Sequence, residues 1–142
     1  MVYLKILAAL LIVAFIVIQL FPAERTNPPV TGEIEAPAEV KEILMRSCYD
    51  CHSNETVWPW YAYIAPASWL LEDDVADGRA GLNFSEWSGY DEKTKLKKVK
   101  KIWEEVKEGE MPQWIYVISH SDAALSDADK EKLRNWSEAA GK

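Results

Sequence analysis

The chain is 142 residues long, 49% hydrophobic and 27% charged, with a formal net charge of −7 at pH 7. That length holds one ordinary domain with a core of its own, and the acidic balance argues against nucleic acid as a partner. Two cysteines and two histidines stand against seven tryptophans and six tyrosines, so a four-ligand zinc site is short of donors while aromatic packing is plentiful.

Residues 1–21 hold an apolar run, Ile6 to Ile18, preceded by one charge, Lys5, and followed by Gln19, Leu20 and Phe21. Counted from Val2, the stretch makes a helix of about 30 Å, long enough for one membrane span. A cleaved signal peptide is the competing reading, but the exit Phe21-Pro22-Ala23-Glu24 has no small-x-small cleavage site. An uncleaved anchor is expected, with Lys5 and the amino terminus inside and the rest outside. No cysteine lies near enough for a lipoprotein anchor. In residues 22–37, Pro22, Pro28, Pro29 and Pro37 break any helix and read as a linker, leaving 38–142 as the folded domain.

Val40, Ile43 and Leu44 recur at helical spacing, which predicts a helix from Pro37 or Ala38 into Ser47. Then comes Cys48-Tyr49-Asp50-Cys51-His52, a C-x-x-C-H run containing both cysteines of the chain. Thiols at this spacing can add to the two vinyl groups of one haem, and the imidazole directly after the second thiol can serve as proximal iron ligand. A thioredoxin-like dithiol needs a βαβ setting, which is lacking here. A half zinc site lacks further ligands, and a plain disulfide is the remaining alternative. Haem c is attached outside the cytoplasmic membrane in bacteria, so the leader and the motif support each other. Arg46 and Arg79 are candidates to pair with haem propionates, with surface ion pairs as the equally weighted alternative.

Thr56 to Pro66 is rich in proline and aromatic residues and has no clean period, so an irregular packed segment is expected. With Trp60 and, further on, Trp69, it can wall an apolar disc from water. A helix follows Pro66 with Trp69, Leu70 and Val75 inward, ending near Gly78. Asn83 to Trp87 is a turn carrying two aromatics. From Asp91 to Lys107 the pattern is helical, with Leu96, Val99, Ile102 or Trp103, and Val106 as the stripe and Gly109 as the stop. Its lysine face, Lys93 to Lys101, is read as a solvated face before a docking patch. The last helix begins at Ser126 with Asp129 three residues on, a capping-box variant, and its stripe is Leu133, Trp136 and Ala140. No strand signal rises above noise. Asn54, Asn83 and Asn135 match glycosylation acceptors by chance.

Two residues compete for the far face of an iron held by His52. Met1 lies in the anchor, and Met45 lies too close to Cys48 on the same helix to cross over. Met111, in Gly109-Glu110-Met111-Pro112, sits on a proline-stiffened loop before a closing helix, and its alternative role is gap filling. His120, in Ser119-His120-Ser121-Asp122, is the alternative ligand, a solvent histidine or a propionate partner. Methionine raises the iron's potential and a second histidine lowers it.

Cys48 to Asn54, Pro59-Trp60-Tyr61, Ile64-Ala65-Pro66, Ser68-Trp69, Gly78-Arg79, Leu82 to Trp87, Glu110-Met111-Pro112, Trp114, Tyr116, His120 and Leu125-Ser126 span nearly the whole domain. On these runs the chain resembles the bacterial haem-binding domain family of small, membrane-anchored C-x-x-C-H proteins. The order of helix, motif, Met-Pro and final helix is also similar to class I cytochromes c, though the long aromatic segment 57–69 departs from that pattern. The resemblance implies one covalent haem c per chain on Cys48 and Cys51, with His52 as axial ligand.

The expectation is therefore an all-α, cytochrome c-like domain of about four helices with an irregular aromatic segment, preceded by one transmembrane helix. Its expected work is single-electron transfer with a redox partner protein at the outer face of the cytoplasmic membrane, with no catalytic residue of its own. Two other readings remain open: a haem sensor or enzyme with a displaceable sixth ligand, and an anchored module binding a ligand through its tryptophans.

Overall fold

Caps and prolines set the helix boundaries. The computed structural model describes residues 1–140 and contains seven α-helices and no strand among them. Helix α1 is Val2–Ile18, with no buried residue. Pro22 disfavours helical backbone at Phe21, and the N–H groups of Gln19, Leu20 and Phe21 tighten onto Ile16, Val17 and Ile18. At 17 residues, α1 rises about 26 Å, shorter than the run from Val2 to Phe21 predicts. No helix among the described residues is long and apolar enough to cross a membrane.

Segment 22–37 is extended, as its prolines require, but it does not hang as a tether. Ile34 is buried in the main core, and the N–H groups of Thr31 and Gly32 donate to the Ser85 carbonyl at 2.9 and 3.0 Å. The Trp87 N–H donates back to Gly32 O at 2.8 Å. Prolines forbid helix; they leave the residues between them free to pair.

Helix α2, Ala38–Ser47, starts after Pro37 as expected and buries Val40, Ile43 and Leu44. Helix α3, Tyr49–His52, is a single turn holding most of the motif. A 3-10 turn at Trp60–Tyr63 is all the regular structure in the aromatic segment. Helix α4, Ala67–Gly81, runs past the expected stop at Gly78 and buries Ser68, Leu71 and Val75. Val75 is inward as expected and Trp69 is half-buried, but Leu70, expected inward, is 65% exposed, and Leu71 is buried in its place.

Helix α5, Glu92–Glu108, is capped by Asp91, whose side chain accepts from Thr94 N–H, and stops at Gly109 in the left-handed region with φ 80°. Val99, Ile102 and Val106 form its buried stripe. Helix α6, Trp114–Ser119, is too short to show a period and was not expected. Helix α7, Asp127–Ala139, has the Ser126–Asp129 capping box and buries Leu133 and Ser137. Trp136 is half-buried, but Ala140, the third member of the predicted stripe, is exposed.

The main core joins α2, α5 and α7 around Leu44, Val99, Ile102 and Leu133, closed by Phe84 and Trp87 from the 83–87 turn. A second, smaller core gathers Ala62, Leu71 and Val75, with Trp58 and Tyr61. The motif bridges the two: Cys48 packs on the first and Cys51 on the second.

Candidate functional site

Helix α3 has only one turn, so something outside it must orient its side chains. Gly78 of α4 does much of this. A Cβ there would lie 3.0 Å from the Cys51 carbonyl carbon and 3.2 Å from Cys51 Cβ, and closer still to the carbonyl oxygen. Only glycine lets α4 approach so near. The approach presents the Gly78 carbonyl to His52 Nδ1 at 3.0 Å, and the Leu82 carbonyl lies 3.1 Å from the same nitrogen.

Two carbonyls can only accept, so Nδ1 carries the proton and Nε2 carries the lone pair. Burial pushes the His52 pKa down, which keeps the ring neutral. Phe84 meets the ring edge-on at 6.2 Å between centroids and stacks on Tyr49 at 5.1 Å. The chain thus fixes one nitrogen with backbone and leaves the other as a donor, which is how a ligating histidine is held.

Both cysteines are free thiols. Burial pushes Cys48 up to about 12 and Cys51 up to about 11, so neither is a thiolate at neutral pH. A low-pKa redox dithiol is the opposite arrangement. No group of three or more His, Cys, Asp or Glu residues among the described residues is placed to hold a metal ion.

A buried polar network backs the motif. Asn54 N–H donates to Ser85 Oγ at 2.9 Å, Asn83 Nδ2 to Asn54 Oδ1 at 2.9 Å, and Asn54 Nδ2 to Pro29 O at 3.0 Å. Phe84 N–H reaches His52 O at 2.7 Å. These bonds make the 83–85 turn and segment 22–37 parts of the site's frame, a role that no spacing in the sequence signals.

The arginines are placed otherwise than as free propionate partners. Arg46 pairs with Asp129 at 2.9 Å, the ion-pair alternative. Arg79 donates to Ser53 O, Thr26 O, Asn27 Oδ1 and Thr56 Oγ1 at 2.8 to 2.9 Å, clamping the end of the motif to the proline segment. Trp60 is 75% exposed, and the Trp69 indole donates to Phe21 O at 2.7 Å, at the foot of α1. Among the described residues, three buried polar atoms lack a partner: Ser47 Oγ just before the motif, Tyr49 Oη within it and Trp58 Nε1 after it. Unmet donors so close to a buried dithiol suit a bound group carrying acceptors, as haem does in its propionates.

On the other side, Tyr116 Oη donates to Oδ2 of Asp50, within the motif, at 2.6 Å. Burial and this carboxylate raise the tyrosine's pKa, so it remains a donor. The His120 ring stacks on Tyr116 at 4.2 Å and meets Tyr61 edge-on at 6.1 Å. Its Nδ1 lies 3.2 Å from Tyr116 O and 3.3 Å from Ser119 Oγ, which leaves Nε2 free, as in His52. Met111 lines two clefts of about 320 and 200 Å³ against Glu105, Gly109, Trp114, Val117 and Leu125; none of their lining residues belongs to the motif. Of the lysine face, Lys95 pairs with Glu92, Lys101 with Glu105, and Lys98 donates to Gly81 O.

A family model described as a haem-binding domain matches residues 13–139. No curated protein and no solved structure matches the chain.

Proposed function

The chain belongs to the haem-binding domain family, and we propose that it is a monohaem c-type cytochrome, membrane-anchored and exposed outside the cytoplasm, that passes single electrons between partner proteins. The observation that carries the reading is His52: Nδ1 is committed to Gly78 O and Leu82 O, Nε2 is unencumbered, and the ring follows directly on the second of two buried thiols. Cys48 and Cys51 would hold the haem through thioethers and His52 would be its proximal ligand. A haem held there would supply the one-electron chemistry. The protein's own part is to fix the imidazole, exclude water with Phe84 and Tyr49, and supply donors to the propionates. Trp58 Nε1 and Tyr49 Oη suit that last role better than the two arginines, whose guanidinium groups already have partners.

Methionine ligation by Met111 is the simpler expectation for an electron carrier. A specific observation favours His120: Tyr116, on which it stacks, is bonded to Asp50 of the motif, and its Nε2 is free. Helix α1, with every side chain exposed or nearly so, is the proposed anchor.

The test is expression in cells competent for haem c maturation, followed by denaturing electrophoresis and a haem stain. One covalent haem per chain is expected, lost in Cys48→Ala together with Cys51→Ala. A stain-negative chain overturns the reading. Ferric spectra of the wild type, Met111→Ala and His120→Ala then assign the far face: the variant that turns from low-spin to high-spin has lost the ligand, a low-spin spectrum kept in both rules out both residues, and a wild type that is already high-spin points to an open sixth position and hence the sensor or enzyme reading.

A further inference from the structure

We propose that the exposed aromatic face at residues 60–70 is a lipid-contacting surface, lying in the headgroup layer of the membrane directly beneath α1, so that the haem-binding domain is seated on the bilayer in one orientation. The proposal rests on the reading of α1 as an anchor and says how the domain is carried by it.

The junction between α1 and the domain is not a hinge. Gln19 meets the backbone of Ala65 at two points: its Nε2 donates to Ala65 O at 3.1 Å, and its Oε1 accepts from Ala65 N–H at 2.9 Å. Trp69 Nε1 donates to Phe21 O at 2.7 Å, and Arg25 donates to Ala62 O at 3.0 Å while its guanidinium lies 4.3 Å from the Tyr63 ring centre. One polar residue at the end of an apolar helix thus satisfies both polar groups of one peptide in the neighbouring segment. Backbone that approaches hydrocarbon needs that, since lipid offers it no partner.

What surrounds this junction is apolar and uncovered. Leu20 is 73% exposed, Phe21 65%, Trp60 75%, Tyr63 62% and Leu70 65%. Scattered single exposures of this kind are ordinary on a soluble surface, but these lie on the segments that Gln19, Trp69 and Arg25 tie to the foot of α1. Tryptophan and tyrosine are the residues that favour the membrane–water boundary.

Length points the same way. Helix α1 rises about 26 Å against a hydrocarbon layer of about 30 Å. The shortfall is met if these side chains, rather than water, lie against the last few ångströms of lipid. A rigid seat of this kind presents the same side of the domain to every partner that diffuses along the membrane.

The experiment uses the full-length holoprotein reconstituted in vesicles of phosphatidylcholine and phosphatidylglycerol. A nitroxide is placed through Trp60→Cys, Tyr63→Cys or, on the far side, Lys100→Cys, Cys48 and Cys51 being occupied by haem. Relaxation by oxygen, which concentrates in lipid, is compared with relaxation by a water-soluble nickel chelate. Positions 60 and 63 should show an oxygen-to-chelate ratio well above that at position 100, and Gln19→Leu should lower it at both. Labels at 60 and 63 that match position 100, in protein that still floats with the vesicles, overturn the seated orientation and leave the anchor intact. Labels shielded from both reagents mean that protein covers the face, which also overturns it. Protein that does not float overturns the anchor reading itself. An unchanged haem spectrum in each variant shows that the domain has folded.

Discussion

A histidine becomes a useful ligand only when one nitrogen is occupied and the other is left bare. His52 meets that condition through a residue that carries no chemistry, Gly78, whose missing side chain lets α4 bring a carbonyl onto Nδ1. We expect Gly78→Ala to push α4 away from Cys51, because the atoms a methyl group would strike are backbone and cannot swing aside. The loss should be about 1–3 kcal/mol, typical of overpacking, measured by urea unfolding, with a disturbed haem spectrum in the variant. The motif residues could be picked out in the sequence because a C-x-x-C-H run is local: five consecutive residues contain all of it. Gly78 could not, since its role is defined by a partner 27 positions away, on another helix. Arg46 and Arg79 show the limit from the other side. Their chemistry suits carboxylates generally, and only the fold chose Asp129 for one and a set of backbone and side-chain oxygens for the other.

Among the elements, α5 and α7 were the most legible, because each announces its ends: Asp91 and Gly109 for the first, the Ser126–Asp129 box for the second. In the box, Asp129 accepts from Ser126 and also pairs with Arg46, and these bonds hold its carboxyl below the usual 3.8. A depressed carboxyl pKa stabilises the fold above the unperturbed value, and that stabilisation is lost as the pH falls through the lowered one. Asp129→Asn should therefore melt a few degrees below the wild type at neutral pH, with the gap closing below pH 3.8, as followed by thermal scans across that range. Six residues are too few for α6 to reveal a period, and on α4 the sequence could not separate Leu70 from Leu71, which are equally apolar neighbours. Packing buried Leu71 and left Leu70 outside.

At the scale of the whole molecule, one hydrogen bond, Tyr116 Oη to Asp50, ties α6 to the motif. It holds α6, and with it His120, beside the candidate haem site. Tyr116→Phe should cost about 1 kcal/mol in stability and also shift the spin state of the ferric haem, whereas a bond that served stability alone would leave the spectrum untouched. The amino-terminal end is joined as firmly, through Gln19, Trp69 and Arg25, and segment 22–37 is a part of the core's wall rather than a spacer. By itself the sequence determined the all-α class and the capped helices and singled out the C-x-x-C-H run, because helical period, caps and a five-residue motif are each written within a few turns of chain. Only the tertiary structure decided which nitrogen of His52 is free, what the arginines hold, and that His120 lies beside Tyr61 and Tyr116. Each of these depends on a carbonyl, carboxylate or ring that folding brings in from a distant part of the chain.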